Sequence, residues 1–138
     1  VGWLRSLTVE KLMKHGIATV AQHAALDEVR AKFPLGSTER LVAVDASGRY
    51  AGLLYLPDAF SPDVEATGTV ETLLRHREDV LAPGMTVKQA IAVFDSTEAE
   101  ALAVIAADRS CIGLLSENHA VRRYADELDK ARAETFAD

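Results

Sequence analysis

The sequence predicts an α+β fold of two pseudo-symmetric copies of one small unit, each a small sheet flanked by helices, packed face to face. Three observations predict it. The octapeptide TVEKLMKH at residues 8–15 returns as TVETLLRH at residues 69–76, with five of eight positions identical and an offset of 69 − 8 = 61. The offset then holds without a gap, pairing Ala21 with Ala82, Phe33 with Phe94, Gly52-Leu53-Leu54 with Gly113-Leu114-Leu115, and Ala59 with Ala120. Each copy also carries two short apolar runs separated by a polar turn. A fixed period over most of a chain marks a tandem repeat, and a unit this small buries its sheet face poorly alone.

The elements follow in order. Thr8 is an N-cap candidate with Glu10 in the first turn of a helix that turns Val9, Leu12 and Met13 to one side. Ala18-Thr19-Val20 is a short extended piece. Leu26, Val29, Arg30 and Phe33 mark an amphipathic helix, which Pro34 and Gly36 end. Residues 41–44 (LVAV) form a buried strand, residues 45–48 (DASG) a turn, and residues 49–56 a second strand, making a hairpin. Pro57 and Asp58 open a further helix. Residues 61–69, with Pro62 and Gly68, link the copies.

In copy two, Leu73 and Leu74 sit on the first helix and Pro83-Gly84 makes a turn. Val87, Ile91 and Phe94 mark the amphipathic helix, and strands follow at residues 102–105 and 111–115. A last helix starts at Ser116 and continues to about residue 135, with Arg123 spaced to pair with Glu127 and Asp126 with Lys130. Copy one spans residues 8–68 and copy two residues 69–138, including the extended C-terminal helix.

Composition narrows the function. The 138 residues are 49% hydrophobic and 26% charged, an ordinary balance for a globule with a real core. A net charge of −6 and no isolated Lys/Arg cluster argue against nucleic acid as the main partner. The single cysteine, Cys111, cannot close an internal disulfide, which fits a reducing compartment. Its alignment with Tyr50 makes it a core residue. No apolar run approaches the ~20 residues of a membrane helix. The chain starts at Val1 rather than Met, as a piece of a larger polypeptide would. His15 and His76 hold equivalent places, but duplication alone explains that, and no Cys or His stands nearby at metal-ligand spacing. No nucleophile–base set presents itself, so the chain reads as a non-enzyme.

The order of elements, the hairpin VDASGRYAG (residues 44–52) and the segments GLLYLPD and GLLSENH resemble a tandem pair of CBS domains, a Bateman module, over about residues 8–125. The resemblance implies a regulatory module without catalytic activity, commonly dimeric, that binds an adenine nucleotide (ATP, ADP or AMP) between its repeats. The end of the chain, IGLLSENHAVRRYADELDKARAE, is similar to the carboxyl-terminal region of bacterial CLC-type chloride channels and transporters. That implies attachment to a membrane-embedded transporter domain of the same polypeptide, at the cytoplasmic face of the cell membrane.

The family's ligand signature runs Gly, apolar, any, Ser/Thr, any, any, Asp after the last strand of each repeat. The glycine lets a ligand or a backbone come close, the hydroxyl can hold a phosphate, and the acid can accept from both ribose hydroxyls. Copy one supplies Gly52 and Asp58, with Tyr55 in the hydroxyl position. Copy two supplies Gly113 and Ser116, with His119 in the acid position. With Val20 on the short extended piece, these are the candidate nucleotide residues: Val20, Gly52, Tyr55, Asp58, Gly113 and Ser116. Each also has a plainer role. Asp58 suits a helix N-terminus without any ligand, Ser116 is a good N-cap, and the glycines permit tight packing. His119 reads as a surface residue of the last helix. The function expected is a nucleotide-sensing regulatory module; the alternative is a structural dimerisation and trafficking module with a vestigial cleft.

Overall fold

The computed structural model describes residues 7–136. Its elements are α1 (Val9–Leu12), β1 (Thr19–Ala21), α2 (Leu26–Lys32), β2 (Arg40–Val44), β3 (Tyr50–Tyr55), α3 (Leu56–Ala59), a 3₁₀ turn (Val70–Leu73), α4 (Val87–Thr97), β4 (Ala101–Ile105), β5 (Cys111–Ser116) and α5 (Glu117–Phe136). The strands make a three-stranded sheet, β1-β2-β3, and a two-stranded sheet, β4-β5. Among the described residues no helix is long and apolar enough to cross a membrane.

The chain divides into two compact units. One gathers the described residues up to His15 with Asp79–Ala106 and Ile112 onward; the other gathers Gly16–Glu78 and Ala107–Cys111. These packing units partition the chain differently from the two sequence copies, because α1 of copy one belongs to the unit built mainly from copy two.

In the β1–β3 unit, β1 runs parallel to β2, with Val20 opposite Ala43, and β2 runs antiparallel to β3. Asp45 makes the hairpin turn: its Oδ1 accepts from the amides of Ser47 (2.8 Å) and Arg49 (3.0 Å). A short acidic side chain can replace backbone partners in this way, which is why Asp opens such turns. The core is Leu26, Val29, Leu41, Ala43, Leu54, Leu56, Ala59 and Val70, with Val20, Phe33 and Leu74 partly buried against it.

In the other unit Leu81 forms a parallel bridge to Val104. That pair lies 61 residues beyond Val20 and Ala43, as the repeat requires. The core is built on Leu12, Met13, Leu81, Val87, Phe94, Leu102, Val104 and Leu115, and Ala120 brings α5 onto it. Helix α4 begins with a reciprocal cap. Thr86 Oγ1 accepts from the Gln89 amide (3.1 Å), and Gln89 Oε1 accepts from the Thr86 amide (3.0 Å), satisfying two of the donors that every helix start leaves open. It ends at Glu98, which takes a left-handed conformation (φ 57°) and donates its N–H to Phe94 O at 2.8 Å.

Five expectations need correction. Cys111, expected in the core, is only half-buried at the start of β5. Thr8 stands at the N-cap of α1, but its side chain makes no capping bond; the first helical amides donate instead to Met85 O (2.9 Å) and Pro83 O (3.1 Å). Leu73 and Leu74 are not on an α-helix: the segment is a single 3₁₀ turn, and Leu74 already leaves it in extended conformation. The turn stops there because the next residue, Arg75, is engaged in an antiparallel bridge to Leu53. Phe33 and Phe94 do not hold the same place. Pro34 follows Phe33, which caps α2 and is only partly buried, whereas α4 runs on to Thr97 and keeps Phe94 in its fully buried face. In α5, Arg123 meets Glu127 (3.5 Å) as spaced, but Lys130 also turns to Glu127 (3.4 Å) rather than to Asp126.

Candidate functional site

The end of β3 and the start of α3 carry Gly52, Tyr55 and Asp58. Strand pairing sets Arg40 of β2 directly opposite Tyr55, and the Arg40 guanidinium lies 5.4 Å from the centre of the Tyr55 ring. A second cation arrives from the segment after the 3₁₀ turn. Leu53 and Arg75 exchange both backbone hydrogen bonds at 2.9 Å, which fixes the Arg75 backbone beside the strand. Its guanidinium then lies 4.4 Å from the Tyr55 ring centre, within the range where a ring face attracts a cation.

The same guanidinium grips Asp58. Arg75 Nε donates to Asp58 Oδ2 and Arg75 Nη2 to Asp58 Oδ1, each at 3.0 Å. This parallel two-bond arrangement is the strong form of an ion pair. Asp58 sits in the first turn of α3 behind Pro57, so the short helix also favours its charge. The side chains are 28% (Asp58) and 50% (Arg75) exposed, so the pair is open to solvent on one side.

His76 completes the group. It holds a left-handed backbone (φ 54°), and its carbonyl accepts from the Tyr50 hydroxyl at 2.7 Å. Its ring lies 6.4 Å from that of Tyr55, tilted by 57°. A non-glycine residue in this region costs on the order of 1 kcal/mol or more unless its surroundings hold it, and the Tyr50 phenol does so here.

The glycines are filled by the chain itself. A Cβ at Gly52 would lie 2.9 Å from Leu74 Cβ and 3.3 Å from Arg75 O, and its φ of 151° also disfavours side chains. Gly113 belongs to the other unit, where a Cβ would lie 2.6 Å from Met13 Sδ and 3.1 Å from Lys14 O. The close approach that each glycine permits is therefore to the segment following α1 or the 3₁₀ turn. Ser116, also in that unit, accepts the His119 amide on its Oγ at 3.2 Å. That is N-cap behaviour, and it occupies the hydroxyl with α5. Val20 sits in the middle of β1, half-buried against the apolar core.

The structure thus joins Tyr55 and Asp58 through Arg75, with Gly52 on the same strand packed against Leu74 and Arg75 O and Val20 on the same sheet, while Gly113 and Ser116 lie in the other unit. Sequence reasoning missed Arg40, Arg75 and His76. A signal for Arg75 was present in the repeat itself, which keeps a basic residue at this place in both copies, Lys14 and Arg75. Chemically, the cluster offers an aromatic ring, two cations of which Arg75 is half exposed, and one carboxylate, a set suited to a planar anionic ligand bearing hydroxyls.

No protein-family profile matches the sequence, and no curated protein sequence matches it. Solved structures do. A CBS domain pair/ACT domain protein from Thermotoga maritima superposes with a TM-score of 0.71 at 16% identity, covering 88% of this chain and 99% of that one. The CBS domain of a bacterial CNNM/CorC family Mg2+ transporter, in complex with ATP, gives 0.74 at 14% identity over 88% of this chain and 89% of that one. CBSX2 in complex with AMP gives 0.72 at 18% identity over 87% and 97%. The chain therefore has the fold of a tandem CBS domain pair.

Proposed function

We propose that the chain is a regulatory module that senses an adenine nucleotide at the Tyr55–Asp58 face of the β1–β3 unit. The carrying observation is the convergence of Arg40 and Arg75 on the Tyr55 ring, with Asp58 held by the same Arg75 guanidinium, in a fold whose solved examples include complexes with AMP and with ATP. In this reading Tyr55 stacks on the base and Asp58 accepts from the ribose hydroxyls; Gly52, closed over by Leu74 and Arg75 O, serves packing, and Val20 supports the same sheet from β1. Gly113 and Ser116 were candidates for the same ligand; their engagement with Met13 and His119 supports a packing role for them instead.

The module is read as part of a membrane transporter polypeptide at the cytoplasmic face. Structural neighbours include the soluble part of a magnesium transporter. The resemblance of residues 112–134 to the end of CLC-type proteins favours a chloride channel or transporter. A homodimer through α2 and α4 belongs to the same proposal. Leu26, Val29, Val87, Ala90 and Phe94 are consumed by the cores of their own units, which leaves the half-buried Phe33, Ile91 and Val93 to meet a partner. Light scattering across a concentration series should give twice the chain mass; a constant single mass rejects the dimer.

Calorimetric titration with ATP, ADP and AMP tests the nucleotide reading. Binding should be present in the parent chain, lost in Asp58→Ala and unchanged in His119→Ala. Equal loss in both variants would place the ligand elsewhere. One observation favours the second reading, a structural module with a vestigial cleft: Arg75 already engages both oxygens of Asp58. Absence of heat in the parent chain would support it.

A further inference from the structure

The Asp58–Arg75 pair has a chemical implication for what the site accepts, given that the nucleotide reading above holds. A ribose diol and the Arg75 fork seek the same atoms. Arg75 Nε and Nη2 take one lone pair on each Asp58 oxygen at 3.0 Å, and Nη2 also lies 2.9 Å from Oδ2. A carboxylate has about four acceptor sites, so a ligand's hydroxyls must compete with the guanidinium or share a crowded acceptor.

We propose that Arg75 is the specificity-determining residue of this site, holding Asp58 as a latch that only a ligand carrying its own anion can open. A phosphate accepts the same planar fork that a carboxylate does. A nucleotide that takes Asp58 with its ribose therefore offers Arg75 a replacement anion. A neutral nucleoside offers none, and its base also competes with the guanidinium for the Tyr55 face, 4.4 Å away. The Arg75 side chain is half exposed and carried on a flexible stem, so its head group can turn while its backbone stays bridged to Leu53. The site accordingly selects phosphorylated nucleosides over neutral ones, through exchange of partners by one residue.

The test is calorimetric titration of the full chain with AMP and with adenosine, in the parent and in Arg75→Ala. AMP should bind the parent and adenosine should bind much more weakly. In Arg75→Ala the two should move in opposite directions. Adenosine should bind about two- to fivefold tighter, because Asp58 is released from an ion pair of ordinary strength. AMP should bind at least about tenfold weaker, because a charged hydrogen bond to phosphate is lost. Arg75→Lys, which keeps the charge without the fork, should fall between, and it serves alone if Arg75→Ala shows no cooperative melting transition. Parallel changes for both ligands in Arg75→Ala, or AMP and adenosine binding the parent equally, would overturn the latch while leaving the nucleotide site intact. No heat with either ligand in any of the proteins would overturn the nucleotide reading and the latch with it.

Discussion

Gly113 packs so closely on Met13 that a methyl group at residue 113 would lie 2.6 Å from the methionine sulfur and 2.8 Å from its Cγ. The same relationship recurs one repeat away, where a methyl at Gly52 would lie 2.9 Å from Leu74 Cβ. The copies thus keep one device twice: a glycine in the last strand admits a neighbouring extended segment, which then bridges to the strand at Lys14–Leu114 or Arg75–Leu53.

The two glycines should nonetheless differ in sensitivity. At Gly113 the nearest atoms belong to an unbranched, adaptable side chain, which can shift. At Gly52 the nearest atom is a Cβ fixed to the backbone, and the φ of 151° adds strain for any side chain. Gly113→Ala should cost about 1–2 kcal/mol, and Gly52→Ala about 2–4 kcal/mol from overpacking plus backbone strain. Urea denaturation of both variants measures the difference; equal losses would contradict it.

The cap of α4 gives a cleaner number. Thr86→Ala removes the acceptor for the Gln89 amide and leaves the reciprocal Gln89 contact without its partner turn. The expected loss is about 1 kcal/mol. Thr8→Ala should cost less, since the Thr8 side chain makes no capping bond and the α1 amides go to Met85 and Pro83. A larger loss at Thr8 than at Thr86 would reverse this assignment.

These contrasts show what the repeat made legible. Equivalent residues meet equivalent partners: Val20 faces Ala43 as Leu81 faces Val104. What a repeat cannot reveal is which copy supplies the partner. The segment around Met13 joins the strand of copy two, and that around Leu74 joins the strand of copy one, yet packing within each copy would leave the same sequence pattern. The T-x-x-Q pattern at Thr86–Gln89 was readable as a capping box and was overlooked. Arg75 was harder to place, because a long flexible cation carries no address in sequence; only the bridge to Leu53 aims it at Tyr55 and Asp58. Phe33 and Phe94 diverged because Pro34 ends one helix where the other continues.

The turn between β4 and β5 carries a titration signature. Asp108 Oδ1 accepts from the Ser110 hydroxyl at 2.6 Å and from the Ser110 amide at 3.0 Å. The Ser110 hydroxyl, then the Ser110 amide, hold the Asp108 carboxyl below the ordinary 3.8. A depressed folded-state value means that the ionised form is bound more tightly in the folded chain. The stability it contributes is complete above the unfolded value near 3.8 and is lost as pH falls through the lower folded value. Carboxyl-carbon NMR should show Asp108 titrating below 3.8 in the parent, and moving back up in Ser110→Ala. A midpoint in Ser110→Ala equal to that of the parent would remove the Ser110 hydroxyl as the main cause, since alanine keeps the residue-110 amide.

The Asp58–Arg75 pair should register in stability as well as in ligand selection. Both side chains keep access to solvent, which limits the pair to about 0.5–1 kcal/mol of coupling, at the upper end for exposed pairs because of its two-bond geometry. A double-mutant cycle with Asp58→Ala and Arg75→Ala isolates that coupling. It should shrink as NaCl is raised from about 0.1 to 1 M, where the screening length falls from about 10 to 3 Å. The single variants should be unequal. Asp58→Ala leaves Arg75 on the face of Tyr55 at 4.4 Å, whereas Arg75→Ala removes that contact too, at a further cost of about 0.5–1 kcal/mol. Arg75→Ala should therefore be the more destabilising change, and should remain so in the Asp58→Ala background. A coupling of zero would mean that the pair contributes nothing to the fold. Equal single losses would mean that the Tyr55 contact is mere proximity.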